Sequence, residues 1–185
     1  MNNKFSGFIT LGYASIFISF WLGSMVFAGW TTFAALQEGA VILMILGIVT
    51  AISGIFSFFT NDKLECTLFL IFGTYIFSFM LRFIMYPKLA ANSNLASFDG
   101  WITLLIAIVF FYLWLASFKG SMYRQLFLLL LWLSMLAIAI TNLFSITFFM
   151  YIGGYLGLIA SLFAGWYSAT TILKSDDVPT SSGTA

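Results

Sequence analysis

Seven basic and six acidic residues are all the formal charge that 185 residues carry, and there is no histidine. Catalysis at neutral pH usually needs a histidine, paired carboxylates, or a nucleophile beside a base, because those groups move protons or hold metals. No such arrangement can be read from this sequence. Glu38, Asp62, Glu65, Asp99, Asp176 and Asp177 all read as loop or tail residues, with Asp62-Lys63-Glu65 a solvated cluster. That leaves no carboxylate within a membrane segment to relay protons. Cys66 is the single cysteine, so neither an internal disulfide nor a thiolate metal site is expected. A net charge of +1 is too small for a nucleic-acid footprint. The sequence therefore predicts no enzyme, no metal, no cofactor and no nucleic-acid partner.

The remaining polar groups suit the passage of a small solute better than its conversion. Arg82 lies one turn inside the end of an apolar run. It either snorkels to the interface or, with Lys88, concentrates anions at the outer mouth of a pathway. Tyr75 beside Thr74 is a phenol in mid-span, which needs a partner on a neighbouring helix or a place along a pore. Asn142, beside Thr141, offers a donor and an acceptor without charge, either as a helix-end cap or as a pathway group.

The elements that position these groups are membrane spans. The chain is 62% hydrophobic and 7% charged, where soluble domains carry about a quarter charged residues. A helix needs about 20 apolar residues to cross the bilayer core. Charges and breakers then delimit six spans, at about 8–27, 39–59, 66–85, 101–117, 126–141 and 149–173, within a transmembrane domain of residues 1–174. Residues 175–185 read as a polar, disordered tail. The polar stretch from Tyr86 to Asp99 divides the spans into two groups of three. The first apolar run exceeds the length of a signal-peptide core, so it is expected to remain as a helix. With six spans both termini share one side. Lys4, Lys63, Lys119, Arg124 and Lys174 fall there against Arg82 and Lys88 opposite, which predicts cytoplasmic termini in the plasma (inner) membrane. Small residues every fourth position mark helix contacts in lipid. They occur at Ser15, Ser19 and Gly23, at Gly47, Ala51 and Gly54, and along Gly153, Gly157, Ser161 and Gly165.

In order and spacing, several short motifs resemble the acetate uptake transporter family, the succinate-acetate permease type of six-helix membrane protein. They are Glu38-Gly39, Phe72-Gly73-Thr74-Tyr75, Met85-Tyr86-Pro87-Lys88, Phe98-Asp99-Gly100, Phe118-Lys119-Gly120, Ala139-Ile140-Thr141-Asn142 and Gly154-Tyr155-Leu156-Gly157-Leu158-Ile159. Together they cover Gly12 to about Ser168. The first helix departs from the family signature Asn-Pro-Ala-Pro-Leu-Gly-Leu, keeping only Leu11-Gly12. The resemblance implies a ring-shaped homohexamer with a pathway through each protomer for acetate or a similar monocarboxylate, or succinate, passing as in a channel or together with a proton. It implies an apolar constriction at Ile16 or the adjacent Phe17, with Tyr75 and Leu131. A channel for a neutral solute such as urea, ammonia or undissociated acid, and a non-transporting scaffold, are the competing readings.

Overall fold

A computed structural model describes residues 6–85 and 93–176. Among them there are helices and no strands. In chain order they are α1 (Ser6–Phe27), the short α2 (Phe33–Glu38), α3 (Ala40–Phe59), α4 (Lys63–Met85), α5 (Ser93–Ala116), α6 (Met122–Phe144) and α7 (Thr147–Asp176), with a 3-10 turn at Ser117–Lys119 between α5 and α6. All but α2 are long and apolar enough to cross a membrane, so the chain is a multi-pass membrane protein.

Several helices outrun their apolar stretches because polar residues cap or extend them. Asn61, at φ 65°, turns the chain after α3, and the Asp62 carboxylate accepts the Glu65 N–H at 3.3 Å. That cap starts α4 at Lys63, so Glu65, expected in a loop, lies in the first helical turn. Asp99 is likewise inside α5, and α7 continues through Ser175 and Asp176, where a tail was expected. The uncharged connection expected from Trp30 to Gln37 contains α2, whose N-terminal Ala35 N–H is accepted by the Thr32 hydroxyl at 3.3 Å. The α6 helix runs on to Phe144 and ends at Ser145, whose φ is 57°, so Asn142 belongs to its last turn. Lys88 and residues 177–185 lie outside the described residues.

The six long helices form a ring in the order α4, α3, α1, α7, α6, α5. Five of its seams pack closely; the sixth, between α4 and α5, packs lightly. In lipid, small residues let backbones approach, and the α3–α4 seam depends on them: a Cβ at Gly73 would lie 2.6 Å from the Gly47 carbonyl oxygen. Buried hydroxyls on α3 are satisfied within their own helix. Thr50 donates to the Leu46 carbonyl at 2.8 Å and Ser57 to the Ser53 carbonyl at 2.8 Å. The opposite ridge of α3, Val41, Ile45, Ile48, Ile52 and Ile55, is exposed on the outside of the ring, as a lipid- or neighbour-facing surface requires.

Candidate functional site

Three helices present matching faces to the centre of the ring. On α4 the face runs Glu65, Phe69, Phe72, Ile76; on α6 it runs Arg124, Leu128, Leu131, Met135; on α1 it runs Tyr13, Ile16, Phe20. The steps of three and four residues keep each set on one side of its helix. Apart from Arg124, all are buried. The middle of the bundle is an apolar collar: Ile16, Phe72 and Leu131 have no exposed surface and belong to one cluster. Phe72 lies edge-on to Phe20 at 5.6 Å and tilted against Phe110 of α5 at 6.3 Å between ring centroids.

Below the collar, toward the face that carries the start of α1 and the end of α7, the same three faces turn polar. The Tyr13 hydroxyl donates to Glu65 Oε2 at 2.7 Å, and Arg124 Nη1 donates to Glu65 Oε1 at 3.3 Å. The Glu65 side chain is 1% exposed and that of Arg124 19%. A helical side chain leans toward its own N-terminus, so Tyr13, one turn deeper than the ion pair, reaches back to it. The Tyr13 ring is enclosed by Phe69 at 5.1 Å, Phe127 at 5.7 Å and Tyr167 at 4.5 Å. Ser168 ties α7 to α1 beside it by donating to the Thr10 carbonyl at 3.1 Å.

Above the collar, polar contacts bridge the light α4–α5 seam. The Tyr75 and Thr103 hydroxyls lie 3.2 Å apart, and Thr103 donates to the Asp99 carbonyl at 2.7 Å. Arg82 pairs with Asp99 and rests over the Phe79 ring at 5.8 Å.

The residues singled out from the sequence divide accordingly. Ile16 and Leu131 are both fully buried in the apolar core cluster. Phe17 is not: it packs against Gly165 and lines an apolar groove of about 660 Å³ on the outer side of α1 and α7, with Trp166 and Leu162. Tyr75 flanks the collar and turns its hydroxyl toward α5, while Phe72, three residues earlier, occupies the shared face. Thr74 is exposed and Asn142 half-buried. Arg82 is held by a carboxylate and so is not an unpaired cation. The small residues of α7 serve two neighbours. Gly153 abuts Ile138 and Ser134 of α6, and the Ser134 hydroxyl donates to the Gly153 carbonyl at 2.7 Å. Gly157 lies between Ser24 of α1 and Ser134, and Gly165 faces α1 alone. Ser161 is buried and bonds within its own helix. Sequence reasoning missed Phe72 and Glu65, although the run Glu65, Phe69, Phe72, Ile76 is a helix face visible in the sequence.

No protein-family model matches the sequence, and neither does any curated protein. A solved structure does match: the bacterial acetate channel SatP superposes with a TM-score of 0.81 at 18% identity, over 97% of this chain and 98% of that one. The fold is that of SatP. At such identity the likeness fixes the path of the helices and leaves side chains free to differ. Because the correspondence with SatP spans nearly the whole chain, α1, α4 and α6, which carry the collar and the polar cluster, all belong to the shared architecture.

Proposed function

We propose that the chain conducts acetate or a similar short monocarboxylate along a pathway inside each protomer, between α1, α4 and α6. The observation that carries this reading is a fold shared with an acetate channel whose central faces run from a polar cluster into a dry collar. Ile16, Phe72 and Leu131 form the narrowest point, with Tyr75 beside it. An apolar collar opposes a hydrated anion because stripping its water is unfavourable. A small carboxylate lays its methyl group against the rings and aliphatic surfaces as it sheds water. On the far approach the Tyr75 hydroxyl is engaged with Thr103 of α5 and carries no charge to trap the ion.

In this reading the protomers assemble as a ring-shaped homohexamer in the plasma membrane, with the isoleucine ridge of α3 among the outer surfaces. Both termini are cytoplasmic, following the basic residues. Uptake of labelled acetate into proteoliposomes, with and without a pH gradient, tests the function. A channel gives flux driven by membrane potential without the gradient; proton-coupled transport requires the gradient. Flux that tracks only the undissociated acid, or urea, supports a neutral-solute pore, and no solute-dependent flux supports a scaffold.

A further inference from the structure

Arg124 is a guanidinium with spare capacity. Its acceptor among the described residues is Glu65, and the 3.3 Å contact is longer than the about 2.8 Å usual for a guanidinium with a carboxylate. Its Nε is buried with no acceptor, although a guanidinium fork is shaped to receive both oxygens of a carboxylate. The 3-10 turn holds the group in place: a Cβ at Gly120 would fall 2.6 Å from Arg124 Cζ and 2.7 Å from Nε. Glu65, by contrast, is firmly held on its other oxygen by Tyr13 at 2.7 Å. The groups that face Glu65 are Tyr13 from α1, with Tyr167 of α7 behind it, Arg124 from α6, and Asp62 at the start of α4. The cluster sits on the faces that carry the collar. Glu65 and Arg124 each precede their collar residues, Phe72 and Leu131, by seven positions, about 10 Å of helix rise.

We propose that Arg124 is a docking station for the carboxylate of the transported acid, which takes the guanidinium from Glu65. The proposal rests on the channel reading above. In the resting state Glu65 fills the station as an internal surrogate of the substrate. When a substrate carboxylate takes the fork, Glu65 keeps its hydrogen bond with Tyr13 and takes one proton from the water at the terminal face, because a buried carboxylate without a cation is strongly disfavoured. One anion and one proton arrive together, so the buried charge is the same before and after; the new bond is the O–H of Glu65. When the substrate leaves, the proton returns to water and the Glu65–Arg124 pair reforms.

The test is the half-saturating acetate concentration for uptake by the full-length protein, offered from the side of the chain termini between about pH 6 and 8, where acetate stays ionised. In the parent protein it falls about tenfold per pH unit of acidification while Glu65 is charged, as one proton bound with each anion requires. Glu65→Gln keeps the shape and the Tyr13 contact, lowers the half-saturating concentration and abolishes the pH slope. The double variant Glu65→Gln with Arg124→Gln places two amides where the ion pair was, leaving no buried unpaired charge; it raises half-saturation about tenfold or more over Glu65→Gln alone. A Glu65→Gln protein that keeps the parental slope, or a double variant as sensitive to acetate as Glu65→Gln, overturns the station while leaving the channel intact. Failure of the parent protein to pass acetate at all overturns the channel reading instead.

Discussion

The two ion pairs among the described residues lie on opposite sides of the apolar middle of the bundle and differ in how they are housed. Glu65–Arg124 is closed in by four helices, with the carboxylate 1% exposed and shared with a phenol. Arg82–Asp99 spans the lightly packed α4–α5 seam, with side chains 37% and 23% exposed. A half-exposed pair contributes little because solvent and side-chain entropy offset the attraction. A buried pair is strongly destabilising when only one partner is removed, since the other is left as an uncompensated charge. The same two residue chemistries therefore act as a point of high consequence below the collar and as a light clasp above it.

Arg124→Met should break the comparison most severely. It leaves Glu65 buried without its cation and should destabilise the fold by about 3–5 kcal/mol, seen as lost yield of monodisperse protein in detergent; adding Glu65→Gln should restore most of that yield. Phe72→Ala comes next. Truncating a fully buried ring is worth about 3–5 kcal/mol at most sites, so the variant should assemble with a lower melting temperature and, if the proposed pathway runs past Phe72, admit larger acids such as succinate in a size-series uptake assay. Asp99→Asn should lower stability by about 1 kcal/mol or less, a shift of only a few degrees in a thermal melt. Tyr75→Phe should have the smallest effect, about 0.5–1.5 kcal/mol from the lost hydroxyl contact, with the size cut-off for carboxylates unchanged. A cut-off that moves with Tyr75→Phe or Tyr75→Ala but not with Phe72→Ala would put the constriction on the Tyr75 side of α4.

The six-helix bundle was legible because each crossing leaves a local signature, an apolar run closed by charge, proline or a polar turn. The likeness to the acetate uptake transporters was legible as well, through short motifs kept in order. The polar cluster was not. Tyr13, Glu65 and Arg124 are 52 and 59 positions apart along the chain, and Glu65 stands next to Asp62 and Lys63, where it reads as part of a solvated turn. Only the Asp62 cap, which starts α4 at Lys63, carries Glu65 into the bundle. Tyr75 drew attention as the polar aromatic of its helix, but position on the helix face decides which side of the bundle a ring turns to. By that criterion Phe72 aligns with Glu65, Phe69 and Ile76, whereas Tyr75 is rotated toward Thr103. The partner of Arg82 was hidden for a related reason: Asp99 looked like the end of a loop, and the extension of α5 brings it to Arg82.

The spacing of the buried pair has a consequence for biosynthesis. Glu65 leaves the ribosome 59 residues before Arg124, so at about 5–20 residues per second α4 must wait roughly 3–12 s for its counter-ion. During that interval α4 carries a carboxylate whose hydrogen-bond partner from the earlier chain, among the described residues, is the Tyr13 phenol. Until then the Glu65 carboxyl must stay near water or carry a proton, because a buried carboxylate without a cation is strongly disfavoured. The ion pair that ties α4 to α6 can therefore form only late in the chain's own order of synthesis.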